Sequence, residues 1–201
     1  RLNNETVVNA KSLAKMEEEL PIAAGLLPEY LELNAIGYAC TSGATIIGED
    51  RVKAIMKESH PDIPSSNPLT AAKAALKALG VERLGLLTPY TPEVTEAMQQ
   101  RFGEAGIAIT VVGSFYEEND ILVGQIDPKS ILKAAVALGK SELCDGIFIS
   151  CTSLRTAGII DEAEAELGKP VTASNHALAW HLLRLVGIDD KLAGFGRLFN
   201  I

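Results

Sequence analysis

Apolar and polar positions along the 201 residues switch repeatedly between two periods. A helical period runs from Asn4 to Leu20, with Val7, Val8, Leu13, Ala14 and Met16 apolar and polar residues between them. The run Leu33–Ala39 reads as a short buried strand, Glu49–Glu58 as a helix, and Leu69–Leu79 as an Ala-rich helix stopped at Gly80. Arg83–Thr88 then predicts a strand and Pro92–Ala105 a helix ended by Gly106. Ile107–Val112 predicts a β-branched strand. Asp127 and Pro128 open a helix to Leu138 as N-cap and first position. Gly146–Ile149 is a strand, Thr156–Leu167 a helix, Val171–Ala173 a short strand and Ala177–Val186 a last helix. Alternation of this kind predicts an α/β fold with mainly parallel sheets, and functional groups at the C-terminal ends of the strands.

Two stretches repeat. Asn34–Ala39 runs into Cys40-Thr41-Ser42, and Asp145–Ser150 runs into Cys151-Thr152-Ser153, 111 residues later. Ser66-Asn67 precedes an apolar helix ending Leu79-Gly80-Val81, and Ser174-Asn175 precedes one ending Val186-Gly187-Ile188. Matched features in the same order predict a duplicated α/β unit. The expected division is residues 1–80, completed by 175–201, as one unit and 81–174 as the other. The lead from Arg83 to Cys151 is 68 residues, whereas only 39 separate Arg1 from Cys40. By that comparison roughly 30 residues of the first unit lie outside this sequence.

Charge and cysteine content narrow the function. With 18 Lys+Arg against 26 Asp+Glu the net charge is −8, which disfavours nucleic acid or an anionic membrane surface as a partner. No apolar run reaches the ~18 residues of a membrane helix. Three cysteines make no disulfide framework and fit a reducing, cytoplasmic setting. No HExxH or CxxC is present, and His176 and His181, five apart, form a poor metal pair.

The repeated cysteines are the candidate chemistry. Each is expected at a strand end with a helix starting just after it, whose N-terminal N–H groups would favour thiolate and lower the thiol pKa. Thr and Ser after each Cys add donors for a carboxylate or for the enediolate formed beside it. If the two units face each other, Cys40 and Cys151 flank one site, one thiolate removing a proton or adding to carbon and the opposite thiol delivering a proton. The competing reading is that both are buried apolar residues. Cys144, which has no repeat partner, reads as structural. Tyr90, in a turn flanked by Pro89 and Pro92, is either a donor to a carboxylate or a half-buried loop tyrosine. Asn67 and Asn175 read as N-caps, Arg155 as a contact to a second carboxylate or, the favoured reading, a helix-face residue, His176 and His181 as structural or surface residues, and His60 as incidental. Gly194-Phe195-Gly196 lacks the setting of a dinucleotide fingerprint.

The sequence resembles the aspartate/glutamate/hydantoin racemase superfamily. It is most similar to the branch holding maleate cis-trans isomerase, arylmalonate decarboxylase and ectoine-utilisation racemase-like proteins. The likeness rests on Tyr38–Gly43, Ile47–Asp50, Leu87–Tyr90, Phe148–Thr156, Ser174–Leu183 and Gly194–Phe199. It implies two pseudo-symmetric flavodoxin-like α/β units with the active site in the cleft between them, and no cofactor or metal. It further implies Cys40 and Cys151 as the catalytic pair, with Thr41, Ser42, Tyr90 and Thr152 holding a small carboxylate substrate. Arylmalonate decarboxylases of the family have Gly at the first Cys position, so Cys40 favours a two-thiol isomerase or racemase of a small carboxylate or amino-acid derivative, with ectoine utilisation as one setting the likeness suggests. A decarboxylase, a non-catalytic small-ligand binding module and a thiol redox sensor are the alternatives, and homo-oligomerisation is left open.

Overall fold

The computed structural model describes Leu2, residues 5–28, Tyr30 and residues 32–201. Two parallel sheets form the framework. The smaller pairs β1 (Ile36–Gly37) with β2 (Ser65–Ser66), and the larger has the order β4-β3-β5-β6, from β3 (Arg83–Thr88), β4 (Ala108–Ser114), β5 (Gly146–Ile149) and β6 (Val171–Ala173). β3 and β5 form the middle of the larger sheet. Apart from Arg83 their residues are all buried, as strands covered on both faces require.

Around them lie α1 (Ala10–Gly25), α2 (Thr41–Ile47), α3 (Glu49–Ser59), α4 (Pro68–Ala78), α5 (Pro92–Glu104), α6 (Asp120–Gln125), α7 (Pro128–Gly139), α8 (Ile160–Leu167) and α9 (Ser174–Leu185). The expected start of the first helix at Asn4 lies outside the described residues. Residues 5–9 are not helical, because Asn9 caps the helix: it accepts from Ser12 N, while Ser12 Oγ accepts from Asn9 N. The Thr156 start moves to Ile160, since a turn occupies the residues before it.

The sequence repeat is visible as paired geometry. β1 and β5 each run into a Cys-Thr-Ser, while β2 and β6 each run into a Ser-Asn that opens a helix, α4 or α9. Those two helices pack on each other. Asn67 is the N-cap of α4, accepting from Leu69 N and Thr70 N. Asn175 is not the cap of α9. That position falls to Ala173, because the strand passes straight into the helix. Asn175 instead accepts from Thr156 Oγ1 and donates to Leu154 O, bracing the loop after Cys151. Asp127 occupies the cap position of α7 without a side-chain hydrogen bond.

The histidines are structural. His176 is buried between Thr172 Oγ1 and Phe195 O, and His181 meets Ser66 Oγ at 2.8 Å. His60 is not incidental: its Nε2 lies 2.9 Å from Ala24 O and fastens the end of α3 to α1. Cys144 is buried beside Leu138 O and Ser141 O. No helix among the described residues is long and apolar enough to cross a membrane.

Candidate active site

Cys40 follows β1 and is the N-cap of α2, with Sγ accepting from Gly43 N at 3.3 Å and Ser42 Oγ 3.7 Å away. Gly43 is required by a close approach. A Cβ there would lie 2.1 Å from Tyr38 Oη and 3.1 Å from Cys40 Sγ. Tyr38 is buried, and its hydroxyl reaches Met16 Sδ of α1.

Cys151 stands two residues past β5 at φ 96°. This is left-handed backbone that a non-glycine residue adopts at a cost and that clusters at functional sites. No helix begins here, contrary to the expectation from the repeat: the chain turns instead, with Leu154 N donating to Cys151 O. A hydroxyl from the neighbouring strand end fixes the turn. Ser174 Oγ accepts from Cys151 N at 3.0 Å and from Thr41 Oγ1 at 2.8 Å. Thr152 Oγ1 donates to Ala39 O at 2.9 Å, a second tie between the two cysteine loops.

These loops enclose a cavity of about 360 Å³. Cys40, Thr41, Ser42, Tyr90, Cys151 and Thr152 all line it, so the six residues singled out in the sequence converge. Apart from Ser153, which the repeat also marks, sequence reasoning did not find the rest of the wall. Leu13 and Met16 of α1, with Leu2, Val8 and Tyr38, form an apolar side, and Asp120 and Ser153 complete a polar one. The α1 residues carried only a helical period, which reads as core, and Asp120 lies in a stretch without period or motif. Arg155 lies outside, donating to Ile126 O. A larger surface cleft of about 670 Å³, around Glu49, Lys73, Arg101 and His181, holds none of the cysteines.

Among the described residues no Lys, Arg or His lines the cysteine cavity, and Asp120 is its one charged side chain. On the described walls the groups suited to meet an anion are hydroxyls and backbone N–H groups. Tyr90 is suited to this. It is 2% exposed rather than half-buried, and its phenol has no hydrogen-bond partner of good geometry; Ser150 Oγ is likewise unpartnered. Buried hydroxyls without a partner are uncommon and costly.

The electrostatics reverse the expected thiol shift. Burial pushes Cys151 up to about 11, against the opposing pull of Ser153 N–H and the Tyr90 hydroxyl, while the charges of Cys40 and Asp120 add to the rise. Burial also raises Cys40, over the help it receives from Gly43 N–H, Ser42 and Tyr38. One short helix end cannot offset the loss of water around a thiolate. Tyr90 is held well above its usual value by burial and then by both cysteines, so its phenol remains a donor. The site therefore rests with both thiols protonated.

The arylmalonate decarboxylase family model matches residues 41–199. Arylmalonate decarboxylase of Bordetella bronchiseptica is 33% identical over 140 residues, covering 69% of this chain and 58% of that protein. Maleate isomerase of Nocardia farcinica is 30% identical over 126 residues, covering 62% of this chain and 50% of that one. The chain thus spans about half to three-fifths of these two curated relatives. Among solved structures, a Gly-to-Cys, Cys-to-Ser double mutant of arylmalonate decarboxylase in liganded form superposes with a TM-score of 0.91. It is 27% identical, with coverage of 99% of this chain and 86% of that one. The fold is therefore the flavodoxin-like α/β fold of these proteins, and the chain belongs to the arylmalonate decarboxylase family.

Proposed function

We propose that the protein is a cofactor-independent isomerase or racemase of a small carboxylate, with Cys40 and Cys151 as the reacting pair. The observation that carries this reading is the convergence of both cysteines and the buried Tyr90 hydroxyl on one cavity. Ser42 and Tyr90 hold the substrate carboxylate through their hydroxyls, and Thr41 and Thr152 through backbone N–H groups, since the Thr41 hydroxyl donates to Ser174 and the Thr152 hydroxyl to Ala39 O.

For proton transfer, one of the two resting thiols first loses its proton to solvent, and the resulting thiolate takes the proton from the carbon beside the carboxylate. The electron pair enters an enediolate held by those donors. The other thiol returns a proton to the opposite face, so the two cysteines exchange protonation states and no further proton is gained or lost. For an alkene substrate, Cys40 thiolate adds to one carbon and the carbanion electrons pass into the carboxylate. Rotation about the new single bond and expulsion of the thiolate then give the trans isomer.

Decarboxylation at the same site is the second reading, favoured by the family that the chain belongs to and by its 33% identity to a decarboxylase. There CO₂ leaves first and a thiol protonates the enediolate. The retained Cys40 favours the two-thiol reactions. Product analysis separates them: maleate conversion to fumarate and deuterium uptake at the α-carbon mark the isomerase or racemase, and CO₂ release from phenylmalonate marks the decarboxylase. Absence of all three reactions would overturn the proposal and leave a ligand-binding or thiol-redox role.

A further inference from the structure

We propose that Tyr38 is a further catalytic residue: its phenol is the hydrogen-bond donor to the Cys40 sulfur once that thiol has ionised. The inference rests on reading Cys40 as a reacting thiol, and it adds a group that supports a thiolate inside a dry pocket. Tyr38 and Cys40 stand two positions apart at the end of β1, where the chain is still extended, so both side chains leave the same face and line the same cavity. Gly43, in the first turn of α2, keeps the space between them open. A Cβ there would lie 2.1 Å from Tyr38 Oη and 3.1 Å from Cys40 Sγ, so the phenol oxygen and the sulfur border one gap that glycine leaves free. The sequence repeat does not give Cys151 the same group. Ile149 stands where Tyr38 would, and the phenol that acts on Cys151 is Tyr90, brought from the turn after β3.

The resting contact of the phenol leaves it available. Tyr38 is buried, and its hydroxyl reaches the Met16 thioether at 3.8 Å, a weak acceptor. A thiolate is a better one, because hydrogen bonds to an ionised group are stronger than neutral ones. When Cys40 gives its proton to solvent, the Tyr38 O–H turns about its C–O bond from Met16 Sδ to Cys40 Sγ. The O–H bond stays intact, so the phenol stabilises charge without transferring a proton. It joins Gly43 N–H, which meets the sulfur at 3.3 Å, and the Ser42 hydroxyl 3.7 Å away. Burial, and after it the charge of Cys40, holds the Tyr38 phenol far above its ordinary value, which keeps it a donor. Burial lifts the Cys40 thiol, and Gly43 N–H, Ser42 and then Tyr38 draw it back down.

The test is the pH midpoint of iodoacetamide labelling, resolved by mass spectrometry at Cys40 and Cys151, in the intact chain and in Tyr38→Phe, which removes the hydroxyl alone. The Cys40 midpoint is expected to rise by about one pH unit, the loss of one donor to a charged sulfur, while the Cys151 midpoint stays in place. Turnover at neutral pH is expected to fall by about tenfold and to recover as pH passes the new midpoint. Met16→Leu keeps the phenol and alters the same wall, and its Cys40 midpoint is expected at or below the wild-type value. This variant decides the question even where Tyr38→Phe does not fold. An unchanged Cys40 midpoint in folded Tyr38→Phe, an equal rise at both cysteines, or a rise in Met16→Leu would overturn the inference. Labelling reads the ionisation of Cys40 and not turnover. Full activity in Cys40→Ala or Cys151→Ala would therefore refute the two-thiol chemistry, while a midpoint that depends on Tyr38 would still stand.

Discussion

Thr41 Oγ1 donates to Ser174 Oγ at 2.8 Å across 133 residues of sequence, and the same oxygen accepts the N–H of Cys151. One buried hydroxyl therefore joins the start of the helix capped by Cys40 to the backbone of Cys151. Ser174→Ala leaves the Cys151 N–H buried without an acceptor. We expect a loss of about 1–3 kcal/mol in urea unfolding and a larger relative loss of turnover, since both cysteine loops lose their common anchor. An unfolding midpoint equal to wild type would show that the hydroxyl is dispensable.

The φ of 96° at Cys151 predicts an opposition between stability and function. Glycine adopts this backbone freely, whereas alanine does not. Both Cys151→Gly and Cys151→Ala are expected to lose activity. The glycine variant should be the more stable of the two by about 1 kcal/mol, read as a higher denaturant midpoint. The reverse order would mean that the turn is not strained.

Gly43 predicts a packing failure specific to one neighbour. A Cβ at this position would lie 2.1 Å from Tyr38 Oη, so Gly43→Ala should cost about 1–3 kcal/mol by overpacking. Adding Tyr38→Phe removes the closest atom and should recover part of the loss. A double variant no more stable than the single one would place the strain elsewhere.

The raised thiol of Cys151 gives a pH dependence of definite sign. Its proton is held more tightly in the folded chain, with a value of about 11, than at an ordinary cysteine near 9.0. Its contribution to stability is therefore complete below about pH 9 and lost as pH rises toward about 11. Compared with Cys151→Ser, the wild type should lose extra stability across that window. Iodoacetamide should label Cys151 slowly at pH 7 and faster as the thiolate forms. Fast labelling at pH 7 in the absence of substrate would contradict the burial argument.

Much of this architecture was legible in the chain. Arg83–Thr88, Gly146–Ile149 and Val171–Ala173 are strands at the expected bounds, because continuous apolar runs between helices mark buried parallel strands. The repeated Cys-Thr-Ser located six cavity residues from their positions at strand ends. What escaped was set by tertiary contact. β2 is two serines, too short to show a period, whereas α2 begins at Thr41, just after Cys40 as expected. The turn after Cys151, the burial of that thiol and the partial burial of Cys40 depend on packing by α1, Tyr38 and Ser174 from distant parts of the sequence. A local helix-end argument omits that desolvation and so gave the opposite sign for the thiol shift.

The most direct measurement is turnover by Cys40→Ala and Cys151→Ala, made separately, with α-carbon deuterium exchange and cis-trans isomerisation as readouts. Removing either thiol is predicted to lower the rate by about 10²–10⁴-fold while circular dichroism and the unfolding transition show a folded chain. Full activity in either variant would contradict the shared two-thiol site.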